Sequence, residues 1–209
     1  MRLEPFDAGA HEAPLYESLH GAEGDPHLWD YLPYGPFDRQ EWSEWFAASA
    51  ASTDPLFFAV VDPIGGVPAG QASYLRIEPV HGVIEIGHIA LGAAMQRTPA
   101  ATEAMYLLAR HAFDELGYRR LEWKCDALNA RSRRAAERLG FTFEGIFRQH
   151  MIVKGRNRDS AWFSIIDGEW PPLRTAFEVW LSPENFDQAG RQLRPLGEIR
   201  DSLVSTRAV

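Results

Sequence analysis

The sequence has one cysteine, two lysines and no apolar run of membrane-spanning length. The lone thiol, Cys125, excludes a disulfide framework and a thiolate metal cluster and suits a reducing compartment, so no metal is expected. No segment approaches the ~20 consecutive apolar residues that cross a bilayer. The first residues, MRLEPFDAGAHEAPL, hold no apolar stretch of signal-peptide length. A cytoplasmic protein that engages no membrane is therefore expected. Positive charge is also scarce: the net charge is -8, whereas general nucleic-acid affinity needs a basic surface to displace counterions. Basic residues do gather locally, at Arg131, Arg133, Arg134 and Arg138 and again at Arg148, Lys154, Arg156 and Arg158, which suits one small anionic ligand. A chain of 209 residues fits one domain with an extension, or at most two small domains, and is large enough to bury about 70% of its unfolded surface without a covalent staple.

Two short helices are expected in the N-terminal part, flanking the aromatic-rich loop DPHLWDYLPYGPF (25–37). The second begins at Asp38, with Glu41 three residues on as in a capping box. Strand-like runs follow at LFFAVV (56–61) and VPAGQASYLRIE (67–78), with Gly65-Gly66 in the turn. VIEIGHIAL (83–91), apolar on both faces, reads as a central strand. Residues 98–116 repeat apolar side chains at helical spacing and stop at Gly117. LEWKCDA (121–127) alternates as a half-buried strand, ARSRRAAERL forms a short helix, and FTFEGIFRQHMIV and DSAWFSIID supply two more strands. This order predicts an α/β (α+β) layer fold, with helices packed on a mixed sheet. Residues 1–169 form the main domain. Residues 170–209 read as a helical extension, packed on it or at a homodimer contact, with a second short helix starting at Ser182-Pro183-Glu184 and a frayed last dozen residues.

Two helix starts carry the chemical signal. In MQRTPAATEA (95–104), Thr98 is a good N-cap and Pro99 a good first helical residue. The first turn, Pro99-Ala100-Ala101, is small and lacks a carboxylate, so an anion could approach the N–H groups of Ala100, Ala101 and Thr102, with Arg97 beside them. In NARSRRAAERLGF (129–141), Asn129 caps a second helix and places Ser132 on its first turn. Each start alone is adequately explained as a capped helix; the pair, each after an internal strand, can open a slot lined with free donors.

This pairing resembles the GCN5-related N-acetyltransferase superfamily, in its RimJ/RimL-like branch of ribosomal-protein acetyltransferases. The family's Q/R-x-x-G-x-G/A loop is matched by Gln96, Arg97, Thr98, Pro99, Ala100 and Ala101, with proline where a glycine is usual. Its N-x-x-S…LGF…E-G run is matched by Asn129, Ser132, Leu139-Gly140-Phe141 and Glu144-Gly145. EIG (85–87) and the last two strands extend the likeness over residues 5–168. The resemblance implies a mostly antiparallel sheet of about seven strands, with the fourth and fifth splayed around acetyl-CoA and CoA as product. The pyrophosphate would lie on backbone N–H groups from Arg97 to Thr102, with Arg97 and the Thr98 hydroxyl or amide replacing the donor that Pro99 lacks. The pantetheine arm would run along Ile89, Ala90 and Leu91. Asn129 would hold the pantetheine or phosphate region, and one arginine, with Arg134 as first choice over Arg131 and Arg133, the adenosine phosphate.

Amide formation sets the remaining roles. An alkylamine with pKa near ~10.4 must lose a proton before attack, the carbonyl oxygen needs a donor, and the leaving thiolate needs a proton, for which Ser132 is the positional match. Glu85, a carboxylate in an apolar strand, is the first candidate base because burial could raise its pKa, unless it pairs with an arginine. His150 and His88 are further candidates, with His88 expected on the face opposite Glu85. Where some relatives carry a glutamate after E-G, Met151 stands here, so a water chain could serve instead. Cys125, on an apolar face, is a weak nucleophile. Trp29, Tyr31, Tyr34, Phe37 and Trp162 are expected to shape the acceptor pocket. The expected function is an acetyl-CoA-dependent N-acetyltransferase acting on a small-molecule amine or a protein N-terminus. A non-catalytic CoA or nucleotide sensor of the same fold is the alternative.

Overall fold

The structure, a computed structural model, describes residues 1–21, 24–62 and 65–205, with side chains given to residue 203. Its seven strands are β1 (Arg2–Pro5), β2 (Leu56–Val61), β3 (Pro68–Glu78), β4 (Val83–Leu91), β5 (Arg120–Asp126), β6 (Thr142–Val153) and β7 (Arg156–Ile166). They form one sheet in the order β1-β2-β3-β4-β5-β7-β6, in which only β4 and β5 run parallel. VIEIGHIAL is thus central. The four-residue β1 was not expected from the sequence: it is too short for its alternation to register, and it exists because it pairs with β2. The β2–β3 hairpin holds Gly66 at φ 64° in its turn, while Pro63 and Ile64 of the same turn lie outside the described residues.

Helices cover both faces. Helices α1 (Ala8–His20) and α2 (Arg39–Ala50) pack on one, and Asp38 and Glu41 make the reciprocal capping box. Their core holds Leu15, Trp42, Phe46 and Phe57; burying such side chains contributes about 1.5–3 kcal/mol each. On the other face lies α3 (Pro99–Arg110), which continues as a π-helical turn through Glu115. The short helix after β5 is α4 (Ala130–Arg138).

The C-terminal segment joins that second face. Helices α5 (Trp170–Leu181) and α6 (Leu196–Ser205) bury Trp170, Leu173, Phe177, Trp180, Leu196 and Ile199 in the same core as Leu108 and Phe113 of the α3 segment. This segment therefore lies across the sheet from the aromatic loop. At Pro183–Asn185 there is a single 3-10 turn, and the second helix begins only at Leu196. The proline after Ser182 starts a turn that Asn185 closes by bonding Trp180 O and Arg194 O, each at 3.1 Å, so no helix propagates there. Helix α6 runs on to Ser205 because Leu196 and Ile199 are buried, where a frayed end had been expected; residues 206–209 lie outside the described residues.

One irregularity positions the site. Strands β4 and β5 pair only from Val83↔Arg120 to Ile86↔Trp123. On the other edge of β4 the register moves from Ser73↔Gly87 to Gln71↔Ala90, so β4 holds one extra residue, and His88 takes φ 50°. A bulge bends its strand and sharpens the twist. It falls where β4 leaves β5, so among the described residues Gly87–Leu91 has no neighbouring strand on the β5 side.

Candidate active site

The loop before α3 takes the shape its residues dictate. Arg97 sits at φ 61°, in the left-handed region that non-glycine residues enter at a cost of about 1 kcal/mol. Thr98 caps the helix, accepting the Ala101 N–H at 3.3 Å, and Pro99 is at the first turn as expected. Both Thr98 donors are spent internally: its hydroxyl donates to Met95 O at 2.7 Å, and its N–H to the same oxygen at 3.4 Å. Thr98 therefore cannot replace the donor that Pro99 lacks without giving up these bonds, a correction to the sequence expectation. Among the described residues, the N–H groups of Arg97, Ala100 and Thr102 have no backbone or side-chain acceptor. These three, with the exposed Arg97 guanidinium, are the donors left for an anion.

The other wall is α4. Asn129 Oδ1 accepts the Ser132 N–H at 3.0 Å, as a cap should. The Ser132 hydroxyl turns toward the sheet, where it accepts the Trp123 Nε1–H at 2.9 Å, so its oxygen is tied to β5. Arg131 is ion-paired with Asp25 at 2.7 Å, and Arg133 reaches Ala127 O at 3.4 Å. Arg134 is exposed with no side-chain partner among the described residues. One turn further on, Arg138 donates to Thr102 Oγ1 at 3.0 Å and lies over the Trp180 ring, so this side of α4 faces the start of α3. Asp25 joins the two walls, since the same Oδ2 takes Gln96 Nε2 at 3.4 Å and Arg131. Gln96 also donates to Leu91 O at 3.0 Å, so that carbonyl is engaged, whereas Ile89 and Ala90 remain along the open edge.

Beyond the splay, the sheet face that α1 and α2 leave uncovered is polar and enclosed. Glu85 is 3% exposed, as a base candidate should be, but it is not free. Its Oε2 receives Lys124 Nζ at 2.9 Å and Arg76 Nη1 at 2.5 Å. Lys124, itself 4% exposed, also binds Glu122 at 2.7 Å and lies 3.8 Å from the centre of the Trp162 ring. Arg120 completes the network by binding Glu122 and Glu144. Its guanidinium, with lesser help from Ser164, holds the Glu144 carboxyl down at about 2. Both cations bind Oε2, so Glu85 is an ion-paired carboxylate, the outcome the sequence leaves open beside the base role. Alternation had put Glu122 and Lys124 together on the polar face of their strand; it could not show that this face is roofed rather than wet.

Two histidines flank the network. His150 on β6 has Nδ1 2.8 Å from Ser160 Oγ, and its pKa is lowered by partial burial first, then by Arg158, Arg76 and Lys124. An open groove of about 950 Å³ beside it is lined by Phe147, Arg148, Gln149, His150, Asn157 and Asp159. His88 stacks on Tyr34 at 5.4 Å, with Nδ1 3.0 Å from its hydroxyl; burial, reinforced by Arg76 and Arg158, pushes its pKa down to about 4. Tyr34 also accepts from Gln71 Nε2 at 3.2 Å, so its own proton is directed at His88 Nδ1.

The five aromatic candidates divide. Tyr34 and Trp162 line the enclosed polar face, and Tyr31, from the loop, donates to Leu128 O at 3.2 Å. Trp29 is only 5% exposed, stacked on His20 at 4.6 Å, and Phe37 packs on Trp29, Tyr34 and Trp45. Both are scaffold of the loop rather than pocket lining, because the cluster under α1 and α2 needs their area. Lys154 donates to Trp29 O at 2.8 Å, tying the loop to the β6–β7 turn. Cys125 is buried, and burial raises its pKa, so it offers no thiolate. Gln71, Arg76, Asp25 and Arg158 were missed in the sequence; only Arg158's place in a basic run gave any signal.

The sheet thus has one parallel junction, splayed at a bulge between two helix starts. The model of the acetyltransferase (GNAT) domain family matches residues 1–142, and the chain belongs to that family of acyltransferases. It is similar to the crystal structure of a GCN5-related N-acetyltransferase from Brucella melitensis, with 51% identity and a TM-score of 0.92 over 96% of this chain and 90% of that one. A GNAT-family protein from Chromobacterium violaceum ATCC 12472 shares 45% identity, with a TM-score of 0.75 over 80% of this chain and 83% of that one. Among curated proteins, the chain is 30% identical over 105 residues to YdaF of Bacillus subtilis (strain 168), which is named as a ribosomal N-acetyltransferase. That match takes in 50% of this chain and 57% of YdaF.

Proposed function

We propose that the protein is an acetyl-CoA-dependent N-acetyltransferase that acts on a primary amine. The observation that carries this reading is the parting of β4 from β5 at the His88 bulge, between two helix starts with unused donors. These residues fit the cofactor: Arg97, Ala100 and Thr102 present N–H groups to a pyrophosphate, Arg134 stands free for a further phosphate, and the edge of Ile89 and Ala90 suits an extended arm. Acetyl-CoA when bound supplies a thioester whose acetyl carbon forms the amide bond while the carbon–sulfur bond breaks and the thiol leaves. Of the protein groups, His150 is best placed to take the amine's proton, being neutral at pH 7 with Nδ1 anchored on Ser160. The peptide N–H groups at the bulge can face the carbonyl oxygen. Ser132, whose oxygen already receives Trp123, has one proton to give and would turn it from the Cys125 sulfur to the departing thiol. Residues 1–169 form the catalytic domain, with the C-terminal helices as a layer on its back. The likeness to YdaF supports a place in the RimJ/RimL-like branch.

The engagement of Glu85 by two cations favours a second reading, a CoA sensor without turnover. Titration calorimetry with acetyl-CoA and CoA, followed by thiol release over a panel of amines, separates the two. Micromolar binding with thiol release is expected. Binding without release on any amine supports the sensor, and absence of binding removes both.

A further inference from the structure

Three buried polar atoms around the polar face have no partner among the described residues: Arg158 Nε, Trp162 Nε1 and Gln71 Oε1. Buried polar groups in folded proteins are almost always paired, so each such orphan calls for an explanation. They fall together, unlike His20 Nδ1, the fourth such atom, which lies among Tyr16, Trp29 and Trp42. Gln71 donates to His88 O and the Tyr34 hydroxyl at the bulge, which leaves its carbonyl oxygen unused. Arg158 pairs with Met151 across the β6–β7 ladder, two residues from Ser160, which holds His150 Nδ1, so its side chain shares the His150 face of β7. Trp162 lies on the same face of β7 as Arg158, under Lys124 and 6.0 Å from the ring of His150. The Arg158 side chain makes no hydrogen bond or ion pair among the described residues, whereas Arg76, Arg120 and Arg131 are each tied to a carboxylate.

We propose that Arg158 and Trp162 form a carboxylate site, and that the acceptor is an amino-acid-like small molecule whose amine is held by Gln71 Oε1. The orphans are complementary to that pair of groups: two donors for the carboxylate and one acceptor for the amine. A guanidinium and an indole N–H recognise a carboxylate through charge-assisted bonds. Charge agrees, since Arg76, Lys124 and Arg158 outnumber Glu85 once Glu122 is shared with Arg120. A polyamine would meet repulsion there, and a polypeptide N-terminus has an amide in place of the carboxylate. This inference rests on the acetyltransferase reading and names its acceptor class.

The test uses L-amino acids, each paired with its carboxamide. Their binding to the CoA-loaded protein is measured by calorimetry and their turnover by thiol release from acetyl-CoA. The acids are expected to lead their carboxamides by about tenfold or more in kcat/KM and in affinity. Arg158→Gln should raise KM for the acid about tenfold, leaving the carboxamide's KM, the acetyl-CoA affinity and the melting temperature unchanged. Arg158→Lys should restore part of the loss, and Trp162→Phe, which keeps the ring, should weaken acids alone. Preference for carboxamides or polyamines, equal losses on both members of a pair, or no saturable binding of any acid would overturn the proposal. Selective binding of acids with no thiol release would retain the carboxylate site and remove the enzymatic reading instead.

Discussion

Replacing Glu85 by glutamine separates a structural clamp from a catalytic base. The carboxylate is 3% exposed and shares one oxygen between Lys124 at 2.9 Å and Arg76 at 2.5 Å. At an effective dielectric constant of about 20, the Coulomb energy of a 2.9 Å pair is about 6 kcal/mol. Desolvation offsets much of this, and breaking a buried pair from one side typically costs about 3–5 kcal/mol. Lys124 keeps Glu122 at 2.7 Å, so the lower end, about 3 kcal/mol, is expected. For a domain of this size that lowers the melting temperature by about 6–12 °C. Urea unfolding of Glu85→Gln, Lys124→Met and the double variant would give the coupling energy directly. The double variant should be more stable than the sum of the single losses predicts, because the uncompensated charge is gone. Activity of Glu85→Gln, measured well below its melting point, should fall much less than a lost general base would cause, about 10²–10⁴-fold. A stable Glu85→Gln protein with its turnover destroyed would refute the clamp and restore the base.

Three further outcomes follow from the same geometry. His150→Asn should cut kcat by about 10²-fold or more with little change in acetyl-CoA affinity. Because burial and three cations lower the His150 pKa, the acid limb of its pH–rate profile should fall below the ordinary histidine value of about 6.5; a limb at or above it would contradict the assignment. His88 is depressed to about 4 in the fold against 6.5 outside it, so between these pH values the unfolded state binds more protons. Its stabilising contribution is complete above pH about 6.5 and is lost as pH falls toward 4, by about 3 kcal/mol. His88→Asn should flatten the urea midpoint over that window, and an unchanged pH dependence would exclude a neutral buried imidazole. Thr98→Ala removes the α3 cap and should cost about 1 kcal/mol, while acetyl-CoA affinity holds on the donors of Arg97, Ala100 and Thr102; a large affinity loss would place the pyrophosphate on Thr98 instead.

Local pattern was enough for much of the fold. Caps at Asp38, Thr98 and Asn129, and the alternation in Leu121–Ala127, act within a few residues, so they show in the sequence. The two helix starts and their spacing also carried the family resemblance. What the sequence could not supply is whatever depends on residues brought together across the sheet. Glu85 reads as a lone carboxylate in an apolar run, and only the pairing of β3, β4 and β5 surrounds it with Arg76 and Lys124. Strict alternation sets His88 on the face opposite Glu85; the bulge, which arises from register against β3, instead turns it toward Tyr34 and Phe57 on the α1–α2 side. Composition marks the 25–37 loop as aromatic, but burial under α1 and α2 decides that Trp29 is scaffold and Tyr34 is site. The sequence by itself thus determined the helix starts, the strand alternation and the kinship, since each is set by neighbours a few residues apart. Tertiary structure alone decided which charges are committed and which are left over, because pairing is a property of space: Glu85 found two cations, and Arg158 found no carboxylate among the described residues.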